Sequence, residues 1–163
     1  MFYYEYKDEG IREISMKDDN GWEVAYINYS INSDTIYIDG IERTSYASRK
    51  YESKYHFGTN IFNQLIIHLQ EQGIVINKIA GWLSSADISN NWRKSIPFYA
   101  DFVNYIEIQS LSLVFHLYDE ENYKSEVFLP ENRMKRELFL DDFINNHQET
   151  EMGASFSYDI AKK

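Results

Sequence analysis

The chain has 163 residues, of which 26 are acidic and 16 basic, giving a formal net charge of −10, and it contains no cysteine. Its length suits one domain with a hydrophobic core, and its charge disfavours binding to nucleic acid or anionic membranes. The lack of cysteine excludes disulfides, thiolate metal sites and a cysteine nucleophile. With neither a signal peptide nor a run of ~20 apolar residues, the expected location is cytoplasmic.

The first part of the chain is predicted to form β-strands. Residues 11–16, 22–31 and 35–44 alternate in polarity or are rich in β-branched and aromatic side chains, which predicts an antiparallel meander. Gly40 interrupts the third of these strands, and such a glycine indicates a β-bulge or a close backbone approach. Residues 45–55 lack a clear period and are predicted to form a loop.

Helices and strands then alternate. Apolar residues recur at helical spacing over 60–72, which predicts an amphipathic helix. Residues 74–83 are apolar on both faces and predict a central strand. Asp87 and Ser89 are possible caps before a second helical segment, 90–102. Pro97 either breaks this segment or, as we expect, lies in the first turn of a helix that starts near Ser95.

The last third is predicted to contain a hairpin, a helix and a tail. Residues 105–118 and 125–129 form the predicted hairpin, which turns through 119–122. The predicted helix covers 132–146, with four apolar residues on one side: Met134, Leu138, Phe139 and Phe143. Residues 148–163 are predicted to be a flexible tail of a single domain spanning 1–163.

A phosphate site is suggested where the 60–72 helix begins. The segment Phe57-Gly58-Thr59-Asn60 stands there, and a helix N-terminus attracts phosphate through its free N–H groups and its dipole. A glycine before a helix is as typical of a simple turn. The four histidines show no metal-ligand spacing, so no metal site is predicted.

The segment from Ser53 to Phe62 resembles the pyrophosphate loop of the GNAT N-acetyltransferases. That loop reads Arg/Gln-x-x-Gly-x-Gly/Ala, followed by Ser/Thr and two large apolar residues. Gly58 matches the second glycine and Thr59 the hydroxyl residue, whereas His56 replaces the first glycine and Ser53 the Arg or Gln. The resemblance implies that acetyl-CoA is bound by five loop residues: His56, Phe57, Gly58, Thr59 and Asn60.

A second family motif is matched around Tyr99. Ser95, Phe98 and Tyr99 stand where the family has alanine, an apolar residue and tyrosine, and Asn91 lies one residue out of register with the family's asparagine. The resemblance implies that Tyr99 is the general acid that protonates the CoA thiolate and that Asn91 contacts the cofactor. A tyrosine that is simply part of the core is the alternative.

The third predicted strand carries a candidate base. In many family members a glutamate on the fourth strand deprotonates the amine, and Glu42, two residues after Gly40, matches it. The bulge at Gly40 would correspond to the place where a backbone N–H meets the thioester carbonyl, so Ile41 is included among the cofactor-binding residues. A surface glutamate with no such role is the alternative.

The resemblance implies an α/β fold, a GNAT-like acyl-CoA N-acyltransferase fold with a mixed central β-sheet flanked by helices. The family's N-terminal helix pair is expected to be absent or replaced, because only about ten residues precede Ile11. It implies an acyl-CoA-dependent N-acyltransferase that transfers an acetyl group to the amine of a small molecule or peptide. A non-catalytic GNAT-like binding or assembly module is the alternative, and a homo-oligomer is left open.

Overall fold

The structure, a computed structural model, describes residues 1–84, 88–106, 108, 110–120, 124–147 and 153–162. The chain folds as two compact units: Met1–Ile79 with Ile106–Ser110, and Ala80–Tyr105 with Leu111–Lys163. None of the helices in these described ranges combines the length and apolarity that crossing a membrane would require.

The first unit is built on an antiparallel meander. Its strands are β1 (Tyr3–Lys7), β2 (Arg12–Lys17), β3 (Glu23–Asn32) and β4 (Thr35–Arg43), paired in chain order. The predicted meander is therefore confirmed, with β1 as an additional strand. Residues 8–11 join β1 to β2 without a helix.

A β-bulge lies beside Gly40, as the sequence predicted. Asn28 is paired with Gly40 but Tyr29 with Ile38, so Asp39 is an extra residue in β4. An extra residue increases the local twist and shifts the pairing of every later residue by one position. The bulge therefore decides which β3 side chains face the end of β4.

Two helices pack on this meander: α1 (Ser45–Lys50) and, after a 3₁₀ turn at Ser53–Tyr55, α2 (Phe57–Glu71). The prediction of a loop over 45–55 is wrong for α1, which begins because the Thr44 hydroxyl accepts a hydrogen bond from the Ala47 amide at 3.1 Å. Helix α2 is the predicted amphipathic helix, begins three residues earlier than expected, and buries a fully enclosed stripe: Ile61, Phe62, Leu65, Ile66 and Leu69.

A buried carboxylate ties the β2–β3 turn to α1. Asp18 is 2% exposed and accepts hydrogen bonds from the hydroxyls of Tyr46 and Tyr51 and from the amides of Asn20 and Trp22. The hydroxyl of Tyr46 contributes most to lowering the pKa of Asp18 to about 2 from its usual 3.8. The folded state therefore stabilises the ionised form of Asp18.

Replacing Asp18 with asparagine is expected to lower the free energy of unfolding at pH 7 and to weaken its pH dependence. A depressed folded pKa stabilises the fold above the unfolded value, and that contribution is lost as the pH falls from about 4 to about 2. Urea denaturation at pH 7 and pH 3 measures both effects. Asp19→Asn, at an exposed neighbour, is the control, and an unchanged pH dependence in Asp18→Asn would contradict the assignment.

The second unit begins within β5 (Lys78–Trp82) and continues through α3 (Ile88–Asp101), a 3₁₀ turn at Phe102–Asn104, β6 (Leu111–Asp119), β7 (Ser125–Val127), α4 (Arg133–His147) and β8 (Ala154–Lys162). Strand β6 pairs antiparallel with β8 on one side and with β7 on the other. The hairpin of β6 and β7 was predicted, although β6 begins later than expected. Turn residues 121 and 122 lie outside the described residues.

Helix α3 departs from its prediction. It begins at Ile88 rather than near Ser95, and Pro97 stands inside it. Proline removes one helical hydrogen bond, but α3 buries a stripe along its whole length, and the Trp92 indole donates to the Ser84 carbonyl at 2.7 Å. Packing therefore outweighs local propensity here. Asp87, the expected cap, lies outside the described residues.

Residues 154–162 form a strand that is largely buried from Ala154 to Tyr158. Strand β8 pairs with the whole length of β6, from Leu111↔Lys162 to Asp119↔Ala154. Phe156 and Tyr158 are at most 2% exposed. The prediction of a flexible tail is wrong for these residues, because their partner strand lies some forty positions earlier; residues 148–152 and 163 lie outside the described part.

Helix α4 is confirmed, but a different face is buried. The buried residues are Leu140, Phe143, Ile144 and His147, whereas Met134 and Leu138 are 75% and 61% exposed. Of the four predicted core residues, only Phe143 is buried. The predicted fold class, an α/β fold with a mixed β-sheet flanked by helices, is confirmed.

Candidate functional site

Helix α2 begins without a side-chain cap. His56 precedes it in the left-handed region (φ 47°, ψ 50°) and makes no capping hydrogen bond. The first helical bond runs from the Asn60 amide to the His56 carbonyl at 3.0 Å. The amides from Phe57 to Thr59 precede that bond and have no carbonyl partner within the helix, so they are available to an anion.

The chain around this helix start is positively charged. Residues 43–60 contain four basic side chains and one acidic side chain, a net charge of +3 in a chain of −10. The basic residues are Arg43, Arg49, Lys50 and Lys54, and the acidic residue is Glu52. The ionised Asp18 lies 3.7 Å from Lys50 and offsets one of these charges, so the segment and Asp18 together carry 3 − 1 = +2. This remaining excess and the helix dipole both favour a negatively charged group.

The side chain of Phe57 anchors the helix start to the end of β4. Phe57 is 1% exposed, and the Arg43 guanidinium lies 5.0 Å from its ring centre. Arg43 also donates to the Tyr51 carbonyl at 2.6 Å, and the ring of Tyr55 stacks on Phe57. A ligand could therefore reach only the backbone of Phe57, and the geometry of the loop is held by Arg43.

The remaining loop residues have distinct places. His56 is exposed, and Gly58 and Thr59 are half-buried in the first turn of α2. The Asn60 side chain donates to the Tyr55 carbonyl at 2.9 Å, which closes the preceding 3₁₀ turn. Asn60 can thus support the loop, whereas Gly58 and Thr59 leave backbone amides uncovered by a large side chain.

On β4, the predicted base is held by a tyrosine. Glu42 is exposed and accepts a hydrogen bond at 2.8 Å from the hydroxyl of Tyr26, its partner across the strands. This bond raises the pKa of Tyr26 to about 12, so the phenol stays protonated as a donor. Ile41, the first residue after the bulge and Gly40, is half-buried opposite Ile27.

Tyr99 and Asn91 belong to α3 in the second unit. Tyr99 is 8% exposed, its ring stacks on Phe156 at 3.9 Å, and its carbonyl accepts a hydrogen bond from the Tyr158 hydroxyl at 2.6 Å. Burial raises the pKa of the Tyr99 phenol well above its usual value. Asn91 is exposed.

The first unit thus contains the loop residues 56–60 together with Ile41 and Glu42, while Tyr99 and Asn91 lie in the second unit. Sequence reasoning missed Tyr26 and the role of Arg43. Counting back from the Asn32–Thr35 pair without a bulge places Ala25 opposite Glu42, and the extra residue at Asp39 moves the partner to Tyr26. In the described ranges, no three histidine or acidic side chains are arranged to hold a metal ion.

Neither a family model nor a curated protein matches the chain. The solved structures that it resembles include acetyltransferases. One is a GNAT-family acetyltransferase from Staphylococcus aureus Mu50, with 10% identity, a TM-score of 0.47, and coverage of 93% of this chain and 68% of that one.

Two further structures are of the same kind. The ribosomal-protein-S18-alanine N-acetyltransferase from Escherichia coli has 7% identity and a TM-score of 0.45, with 96% of this chain and 71% of that chain covered. An IAA acetyltransferase from Bacillus cereus has 9% identity and a TM-score of 0.44, with 94% and 78% covered.

Proposed function

We propose that the protein is an acyl-CoA-dependent N-acyltransferase that transfers an acetyl group from acetyl-CoA to an amine. The observation that carries this proposal is the uncapped start of α2 within a segment of net charge +3. The acceptor is proposed to be a small-molecule or peptide amine, and the cytoplasm is the expected location.

The loop residues fit the pyrophosphate of CoA. The amides of Phe57, Gly58 and Thr59 would donate to its oxygens, and Lys54, which is 69% exposed, can move toward them. Gly58 matters because a large side chain at this position would cover the amides. Acetyl-CoA, when bound, supplies the activated acyl group.

Glu42 would accept the proton of the ammonium acceptor. Its carboxylate is exposed, and the hydrogen bond from Tyr26 fixes its position while leaving its other oxygen free for a second donor. An acceptor amine is cationic at neutral pH, so the charge of −10 also favours its approach.

Tyr99 would supply the proton that the CoA thiolate takes up as it leaves. Its raised pKa keeps the phenol protonated at neutral pH. The burial of the same side chain also favours the second candidate, a non-catalytic binding or assembly module in which Tyr99 is a core residue. Cofactor binding and kinetics distinguish the two.

Saturating CoA is expected to raise the melting temperature of the wild type and to have no effect on Gly58→Trp. A ligand at 100 times its Kd adds about 2.7 kcal/mol of stability, and a chain of this size gains roughly 2–4 °C per kcal/mol. The expected shift is therefore about 5–10 °C. Differential scanning fluorimetry with millimolar CoA measures it.

Gln70→Trp is the matched control, because it places the same large side chain at the exposed far end of α2. This variant should retain the CoA shift. If the wild type shows no shift, the cofactor assignment fails and the binding module becomes the leading function. A full CoA-dependent shift in the melting temperature of Gly58→Trp would instead mean that CoA binds at a site other than this loop.

A further inference from the structure

One edge of β6 is largely unpaired in the second unit. Strand β7 pairs with β6 only at Leu117, Tyr118 and Asp119. Among the described residues, 111–116 of β6 have a partner strand on the β8 side alone. This free edge is about 20 Å long at ~3.3 Å per residue, long enough for a hexapeptide strand.

The free edge lies beside an open cleft. After Val127 the chain leaves β6, and a cleft of about 660 Å³ lies between β6, the segment that follows β7, and the end of α3. Two large apolar residues at the cleft are exposed, Val114 by 54% and Phe128 by 81%. An edge with exposed apolar side chains is the kind that natural proteins usually cover or block.

Charge indicates which kind of strand could cover it. Three carboxylates line the cleft, and a fourth, Asp159, contacts the lining residue His116. Even with His116 protonated, these four carboxylates outnumber the two cations of the lining, His116 and Arg136. Arg136 is occupied by Asp101, to which it donates twice at 2.9 and 3.1 Å. The four carboxylates are Asp101, Glu126, Glu131 and Asp159. The local excess of negative charge matches the sign of the whole chain.

We propose that the free edge of β6 binds an extended peptide segment of a partner protein, one that carries lysine or arginine between apolar residues. Backbone hydrogen bonds to residues 111–116 would hold the segment as an added strand. Because side chains alternate along a strand and Val114, Glu126 and Asp159 share one face, its cations would lie on that face beside Glu126 and Asp159. Its apolar side chains would lie on the other face, beside Phe115. A second copy of this chain is less suited, because two chains of −10 repel each other.

The probe is a capped hexapeptide of alternating lysine and valine, titrated calorimetrically into the full-length protein. It is expected to bind saturably, while a glutamate–valine hexapeptide and a lysine–valine hexapeptide methylated on all of its backbone amides should not. The methylated peptide keeps the side chains but loses backbone donors. It therefore tests strand pairing without any substitution in the protein. Equal binding of the methylated peptide would overturn the proposal.

Val114→Lys is expected to weaken binding about tenfold or more, because an edge lysine blocks strand addition. Tyr3→Lys is the matched control: it adds the same charge to the edge strand β1, at a residue 43% exposed. Equal weakening in both variants would overturn the proposal. So would a wild-type dimer, seen by analytical ultracentrifugation, that Val114→Lys converts to a monomer, since a second copy would then occupy the edge.

Discussion

Replacing Tyr99 with phenylalanine is expected to lower kcat for acyl transfer by ~10²–10⁴-fold and to leave the affinity for CoA unchanged. The substitution deletes one hydroxyl and keeps the ring that stacks on Phe156 at 3.9 Å. A proton donor acts on the thiolate only as it leaves, so its loss appears in kcat and not in the KM for acetyl-CoA. Steady-state release of the CoA thiol with an amine acceptor measures both constants.

Tyr118→Phe is the matched control for this experiment. It removes a hydroxyl from a half-buried tyrosine on β6 in the same unit, and its kcat should equal that of the wild type. A Tyr99→Phe enzyme with near-normal kcat would contradict the role of general acid. If that variant also melts at a clearly lower temperature, the hydroxyl is a structural group, and the non-catalytic module is favoured.

Truncating Phe156 to alanine is expected to lower the free energy of unfolding by about 3–5 kcal/mol. Phe156 is 2% exposed on β8, and its ring packs against Tyr99 and Tyr158. The change removes buried apolar surface and leaves a cavity that these stacked rings cannot fully close. Urea denaturation followed by circular dichroism measures the loss.

Phe128→Ala makes the same chemical change at a residue that is 81% exposed. Its effect should stay within about 0.5 kcal/mol, because little apolar surface is returned to water. Comparing the two variants tests whether residues 154–162 form a core strand or a mobile tail. Equal and small effects in both would contradict the assignment of β8 as a core strand.

Elements with a strong local pattern could be predicted from the sequence. Helix α2 has an uninterrupted apolar stripe, and its end is marked by Gly73, which adopts a positive φ of 72°. The bulge in β4 was marked by Gly40, since a glycine rarely stands inside a strand without a backbone reason. In each case the residues that determine the structure are neighbours in the chain.

Only some of the contacts around the candidate site could be expected from the sequence. The loop from His56 to Asn60 could be located because a glycine, a small hydroxyl residue and a helix start coincide. The support of Glu42 by Tyr26 could not, because this pair depends on a one-residue shift in register. The burial of Phe57 under Arg43 likewise depends on how α2 packs.

The sequence by itself determined the α/β class, the meander of the first unit, α2, α4 and the position of the loop before α2, because periodicity and turn residues act over a few neighbours. Only the tertiary structure decided that 154–162 form a core strand, that α3 continues through Pro97, and that α4 buries Leu140 and Ile144 rather than Met134 and Leu138. Those outcomes depend on burial against distant segments, and the free energy of that burial exceeds local propensity.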